Sequence, residues 1–426
     1  MARADVARTI ETVWRLESAR LIAGLARVVR DVGLAEDLAQ EALVAALEQW
    51  PESGIPDNPG AWLMTIGKRR GIDRIRHAEV QARKTEEIGR ELEIDAGAES
   101  RDLAAELDDP FDDDLLRLIF TACHPVLSTE ARVALVLRLL GGLSTAEIAR
   151  AYLVGEPTVA QRIVRAKRTL TEARAPFDIP TRNQLEERLA PVLESIYLIF
   201  NEGYAPTAGD TIVRTELLEE ALRLGRILAG LLPREPEVHG LVALMELQAS
   251  RVHARFGPDG EAILLLDQDR TRWDWVLVER GLAAFERGVP ADGALGPYAL
   301  QAGIAACHAR ARRPEQTDWV RIVALYDALA QVTGSPVVEL NRAVAIGMAF
   351  GPEPALALVD AIAGEPAVRG YHLVPVVRGD LLERLGRRDE ARLEFEAAVA
   401  MATNERERRV LERRREALAA HPLPRS

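Results

Sequence analysis

The chain has 426 residues, 48% of them hydrophobic and 28% charged, with a formal net charge of −12. Single hydrophobic cores stop growing at roughly 250 to 300 residues, so two or three domains are expected. No apolar run reaches the roughly 18 residues of a membrane span, the N-terminus MARADVARTIETVWRLE lacks the apolar stretch of a signal peptide, and Cys123 and Cys307 fit no disulfide or metal-ligand spacing; the expectation is a cytoplasmic protein with no membrane partner and two small buried thiols.

Ala, Leu, Glu and Arg dominate, apolar residues recur at three and four, and no stretch alternates, so the fold class is all-α. The charge is unevenly placed. Residues 86–114 hold thirteen acids and two bases, whereas Trp62–His77 and Pro157–Arg174 each hold five Lys/Arg and one acid. Two basic patches thus flank an acidic segment too poor in large apolar side chains to fold alone.

Over GLAEDLAQEALVAALEQW, a helix places Asp37, Gln40, Glu41, Val44 and Glu48 within one arc of about 100°. Leu38, Ala39, Ala42, Leu43, Ala45, Ala46, Leu47 and Trp50 fill the other side. The acidic stripe is either a solvated face or a docking surface for a basic partner. Asp37-Leu-Ala-Gln40-Glu41 resembles the DxxQE signature of region 2.2 in sigma factors. Pro59-Gly-Ala-Trp62-Leu63-Met-Thr-Ile66, at the expected distance, resembles the region 2.3 to 2.4 pattern of the extracytoplasmic-function group.

That resemblance implies docking of Asp37, Gln40 and Glu41 on the coiled-coil clamp of the RNA polymerase β′ subunit. It also implies that the loop Pro51–Pro59 and the following helix melt the promoter and read its minus-ten element. Lys68, Arg69, Arg70, Arg74 and Arg76 would neutralise phosphates, Asp57 and Asn58 would line a pocket for an unstacked base, and Trp62 joins the minus-ten contacts. Many members carry an Asn in an I-A-R-N sequence where this chain has Ile66-Gly67-Lys68-Arg69.

Further on, Gly141-Gly142-Leu143-Ser144-Thr-Ala-Glu147-Ile148-Ala149 contains a capping box, Ser144 with Glu147 three residues later. The short helix it opens ends near Val154-Gly155. Pro157 opens a second helix with Val159, Ile163, Ala166 and Leu170 as its buried stripe and Thr158, Gln161, Arg162, Arg165 and Arg168 outward. This is the layout of a helix-turn-helix whose second helix enters the major groove. Gln161 and Arg162 sit early enough to read base edges, and Arg165, Lys167 and Arg168 suit phosphates. Repressors share the motif, but GLSTAEIARAYLVGEPTVAQRIVRAKRTL resembles sigma region 4.2, which implies recognition of the minus-thirty-five element. The implied partners are promoter DNA and core RNA polymerase, through its β′ clamp and β flap regions. The acidic linker is then a solvated spacer, a mimic of nucleic acid in the RNA exit region, or a mask over the basic patches; the sequence leaves all three open.

APFDIP marks the end of the second unit. Near the C-terminus, Leu382, Gly386, Ala391, Phe395 and Ala398 resemble the core of a tetratricopeptide repeat, and Arg223–Arg255 and Glu339–Ile362 read as weaker helical pairs, so stacked helical hairpins are expected. Within this region the segment IYLIFNEGY supplies Tyr197, Phe200, Asn201, Glu202 and Tyr204 as regulatory-domain contact candidates. Together with Asp267-Gln268-Asp269-Arg270-x-x-Trp273-Asp274, Thr317-Asp318-Trp319 and Leu340-Asn341-Arg342-Ala343-Val344-Ala345, it resembles the extracytoplasmic-function subgroup with a long C-terminal TPR-like domain. The resemblance implies regulation by a fused domain, with a protein partner on it.

Asp267, Asp269, Glu279 and His308 match no ligand or acid/base spacing, and Gln268, Arg270 and Trp273 read as a buried polar network. No phosphate-binding glycine loop, nucleophile elbow or HExxH is present. The expectation is therefore a non-enzyme without metal or cofactor, organised as region 2 (1–77), acidic linker (78–113), region 4 helix-turn-helix (114–176) and TPR-like regulatory domain (177–426). The rival reading is a polymerase-independent helix-turn-helix regulator with a helical sensor domain, which has no use for the stripe at Asp37, Gln40 and Glu41.

Overall fold

The computed structural model describes residues 3–89, 111–152, 154–205, 213–257, 261, 263–290, 293–365, 368, 370–402 and 405–420. Most of the acidic linker lies outside the described residues; its flanks belong to helices. Contacts divide the chain into two compact units, Met1–Leu231 and Leu232–Ser426.

The first unit begins with α1 (Arg3–Val29), α2 (Val32–Ser53) and α3 (Pro59–Gly89), which pack on one another. Leu25, Ala26, Leu38, Ala42, Ala46, Trp50 and Leu63 form the buried faces. Helix α3 lies very close to its neighbours because Gly67 and Gly71 carry no side chain there: a Cβ would stand 2.9 Å from Leu25 Cδ1 at the first and 3.2 Å from Leu38 Cδ1 at the second. Leu47, expected on the buried side of α2, is instead 47% exposed. At 100° per residue it falls at the edge of the apolar arc, next to Gln40 and Val44 of the outward stripe.

The unit continues with α4 (Phe111–Ala122), α5 (Thr129–Leu135), α6 (Thr145–Tyr152), α7 (Glu156–Glu172), α8 (Arg182–Tyr204) and α9 (Thr215–Leu231). Helix α5 runs into a π-turn, Val136–Leu140, closed by Gly141 N donating to Val136 O at 3.0 Å. The chain then reverses at Gly142, whose φ of +68° favours glycine. Helix α8 packs on α4, α5 and α9 and buries Leu189, Val192, Leu193, Ile196, Ile199 and Phe200. The expected boundary at 176/177 therefore falls inside the first unit, because this apolar face needs α4 and α5 to cover it. The expected pair Arg223–Arg255 is likewise divided, α9 belonging to the first unit.

The second unit contains α10 (Pro236–Ala249), α11 (Trp275–Arg287), α12 (Pro297–Arg310), α13 (Trp319–Thr333), α14 (Pro336–Ala349), α15 (Pro352–Ile362), α16 (Leu373–Arg384), α17 (Arg388–Met401) and α18 (Glu405–Ala420). Helix α10 is buried nearly all round and packs on α11 and α12; from α12 onward each helix packs on the next. In the α16–α17 hairpin Leu382, Ala391, Phe395 and Ala398 are buried, and the turn uses Gly386 at φ +76°. Gln268, Arg270 and Trp273 are buried as expected. Arg270 Nη1 donates to His308 O at 2.6 Å and to Ala311 O, while its guanidinium lies 5.1 Å from the Trp273 ring centroid. Burial, with help from Arg251 and Arg270, pushes the His308 imidazole down to about 4. Asp269 caps its own turn through Thr271 N at 2.9 Å. Among the described residues no cluster could hold a metal ion, and no helix is long and apolar enough to cross a membrane. Cys123 and Cys307 are buried and unbridged.

Candidate functional site

The acidic stripe forms because Asp31 starts α2 cleanly, its carboxylate accepting from Leu34 N at 2.7 Å. Asp37 and Glu48 are exposed, and Gln40 and Glu41 half-buried. Glu41 faces α3, where it accepts from Arg70 Nη1 at 3.2 Å and from Arg74 Nη2; Arg70 Nη1 also reaches Glu41 O at 3.0 Å. One acid of the stripe thus holds two of the bases expected on DNA.

Helix α3 starts at Pro59 after Asn58, whose side chain accepts from Ala61 N at 3.0 Å. Asn58, expected in a base pocket, acts here as an N-cap. Trp62 packs edge-on against Trp50, centroids 5.4 Å apart. Arg69 and Arg76 are exposed and Arg74 is largely so. Lys68 departs from the expected basic face: it is half-buried, and burial together with the nearby Arg27 guanidinium holds its ammonium below the usual lysine range, Asp114 opposing.

The helix-turn-helix is built as its sequence signals require. Ser144 N and Oγ both donate to Glu147 Oε2 at 2.7 Å and Glu147 N donates to Ser144 Oγ at 3.2 Å, completing the capping box. Helix α7 begins after Gly155 with Pro157 in its first turn and buries Val159, Ile163, Ala166 and Leu170. Thr158, Gln161, Arg165 and Arg168 are exposed and Arg162 is partly so. Arg168 Nε donates to Glu172 Oε1 at 2.7 Å.

Lys167 is the exception on α7. It turns inward to Glu36 of α2, and the same carboxylate accepts from Arg138 Nε at 2.6 Å and Gln40 Nε2 at 2.9 Å. Beside it, Thr171 Oγ1 donates to Asp31 Oδ2 at 3.0 Å. The recognition helix therefore leans on the stripe-bearing helix. Sequence reasoning passed over Glu36, Arg138 and Val164. Glu36 had a signal, an acid on the apolar side of α2 at i−4 from Gln40, which implies a buried partner. Val164 is an apolar side chain 63% exposed on α7.

The cluster Tyr197, Phe200, Asn201, Glu202 and Tyr204 stands inside the first unit, at the end of α8. Phe200 and Glu202 are buried and the other three half-buried, because α9 covers them. They are thus interior to the unit that carries the helix-turn-helix and do not form an open contact surface.

A basic helix, an acidic stripe and a capped helix-turn-helix on one helical scaffold define a DNA-reading transcription protein. Residues 15–80 match the family Sigma-70 region 2, residues 117–170 match Sigma-70, region 4, and residues 188–289 match a family of unknown function, DUF6596. An uncharacterized protein of Rhizobium meliloti (strain 1021) is 45% identical over 418 residues, 97% of either chain. The ECF RNA polymerase sigma factor SigK of Mycobacterium ulcerans (strain Agy99) is 32% identical over 152 residues, 34% of this chain and 75% of its own. SigC of Mycobacterium tuberculosis (strain CDC 1551 / Oshkosh), another ECF RNA polymerase sigma factor, is 30% identical over 176 residues, 41% of this chain and 84% of its own. The chain belongs to the extracytoplasmic-function sigma factors of the sigma-70 family, with a helical C-terminal extension. It is a sigma factor of transcription initiation, and its partners are core RNA polymerase and promoter DNA.

Proposed function

We propose that Asp37, Gln40 and Glu41 dock on the β′ clamp and that Trp62, Arg69, Arg70, Arg74 and Arg76 engage the opened minus-ten region. Thr158, Gln161, Arg162, Arg165 and Arg168 read the minus-thirty-five box, with the β flap as a second polymerase contact. Residues 1–77 and 114–176 carry these two tasks in the cytoplasm across the linker 78–113, and the TPR-like helices downstream regulate them. The observation that carries this reading is the outward polar set on α7 above a buried Val159, Ile163, Ala166 and Leu170. Lys167 joins the phosphate contacts once it leaves Glu36.

Run-off transcription with purified core polymerase tests it. Promoter-dependent transcripts are expected; duplex binding without any association with core overturns it in favour of a polymerase-independent regulator. In Glu41→Gln, core binding is weakened while the fold stays within about 1 kcal/mol of the parent, because the amide keeps an acceptor for Arg70 and Arg74 and partly exposed ion pairs contribute little.

A further inference from the structure

Within the segment Tyr197–Tyr204, Glu202 reaches the helix-turn-helix through Arg214. Phe200 is stacked with Tyr197 and Tyr204, centroids 6.5 and 5.5 Å away. Gly203 lies so close to α9 that a Cβ would stand 2.5 Å from Leu218 N, and its carbonyl accepts from Arg214 N at 2.8 Å. This approach seats the Arg214 guanidinium on Glu202 and, through the same Nη1, on the carbonyl of Ala151. The two side chains are only 10% and 8% exposed.

Ala151 lies in the last turn of α6, where carbonyls have no intrahelical donor and the helix dipole is negative, so a cation satisfies both needs. At the opposite approach to α6, Arg223 Nη2 donates to Leu140 O at 2.6 Å and pairs with Glu220 at 2.7 Å. The first helix of the helix-turn-helix is therefore held at its exit, and the turn leading into it at its entry, by arginines from the segment after α8. Helix α7 packs on α6, so its aim follows.

We infer that Arg214 and Glu202 are positioning residues for promoter reading, and that the module reading the minus-thirty-five box extends to Leu231. This rests on the reading of α7 proposed above. Neutralising Arg214 removes its charge from beside the buried Glu202 carboxylate and its donor from the Ala151 carbonyl, and it loosens α6 against α7.

The test uses the full chain with core polymerase and a promoter selected for run-off activity from a random library. The readout is the ratio of transcript from that promoter to transcript from the same promoter with its minus-thirty-five box scrambled. Arg214→Gln is expected to lower the ratio about tenfold while core affinity stays within about twofold of the parent. Arg214→Lys, which keeps a donor and the charge, restores most of the ratio. An unchanged ratio in Arg214→Gln overturns the inference. So does a core affinity that falls with the ratio, with the lysine variant no better than the glutamine one, since that is general unfolding. Should Arg214→Gln fail to fold, Glu202→Gln decides: a drop of about threefold supports the pairing, and no drop overturns it. A parent ratio near one would instead overturn the reading of α7 itself, and it is seen before any variant is made.

Discussion

Replacing Glu36 with glutamine removes the charge that ties α7 to α2 while keeping the side-chain volume and one acceptor oxygen. Glu36 is 3% exposed and serves Arg138, Lys167 and Gln40 at once. Removing one partner of a buried ion pair costs about 3 to 5 kcal/mol. The Arg138 and Lys167 side chains remain 21% and 19% exposed, and that access to water brings the expectation down to about 2 to 3 kcal/mol. With a urea slope of about 3 kcal/mol/M, the midpoint falls by just under about 1 M. Urea unfolding followed by far-UV circular dichroism measures the change, and hydrogen exchange of the α2 and α7 amides assigns it to the first unit. Lys167→Met and the double variant complete a cycle in which a coupling of about 1 kcal/mol or more is expected. A loss below about 0.5 kcal/mol with additive variants would refute the reasoning, because Glu36 would then be solvated in the working protein.

The neutral His308 gives the second unit a pH dependence. Its folded value of about 4 lies below the ordinary 6.5, so the unfolded chain takes up the proton first; its contribution is complete above 6.5 and is lost as pH falls towards 4. Between pH 7 and 5 about 2 kcal/mol should disappear, and His308→Phe should flatten this part of the profile in urea titrations at the two pH values; an equal slope in the variant would assign it elsewhere. The glycines offer a contrast. Gly203→Ala meets the Leu218 backbone at 2.5 Å and should cost about 3 kcal/mol or more, whereas Gly67→Ala meets only the movable end of Leu25 at 2.9 Å and should cost about 1 kcal/mol or less. Thermal melts that rank the two in the opposite order would contradict this account.

What could be read in advance was whatever is written in nearby residues. The capping box at Ser144 and Glu147 and the buried stripe Val159, Ile163, Ala166 and Leu170 depend on spacings of three and four, and all appear as expected. The acidic and basic faces of α2 and α3 were legible as faces. Their partners were not, since Glu41 with Arg70 and Arg74, or Glu36 with Lys167, are joined only by folding, and periodicity carries no information across such separations. Lys68 shows the same limit: its place in a run of bases suggested solvent, and its packing beside Arg27 decided otherwise. The boundary at APFDIP was a real break between helices, but a proline-rich turn does not say which core the next helix covers, and α8 covers the one before it.

The π-turn at Val136–Leu140 bears on how this protein tolerates insertions and deletions. It accommodates one residue more than a regular helix needs over that stretch. Deleting that one residue would let α5 run on in α-helical register with little net turn, because four α-helical residues sweep about the same angle as five π-helical ones, whereas deleting a second would turn α6 and α7 through about 100° relative to α4. Arg223 would lose the Leu140 carbonyl it holds at 2.6 Å, and α7 would point elsewhere with every one of its own side chains unchanged. Beyond that one residue, the length of this segment should therefore be guarded more strictly among relatives than the identity of its residues.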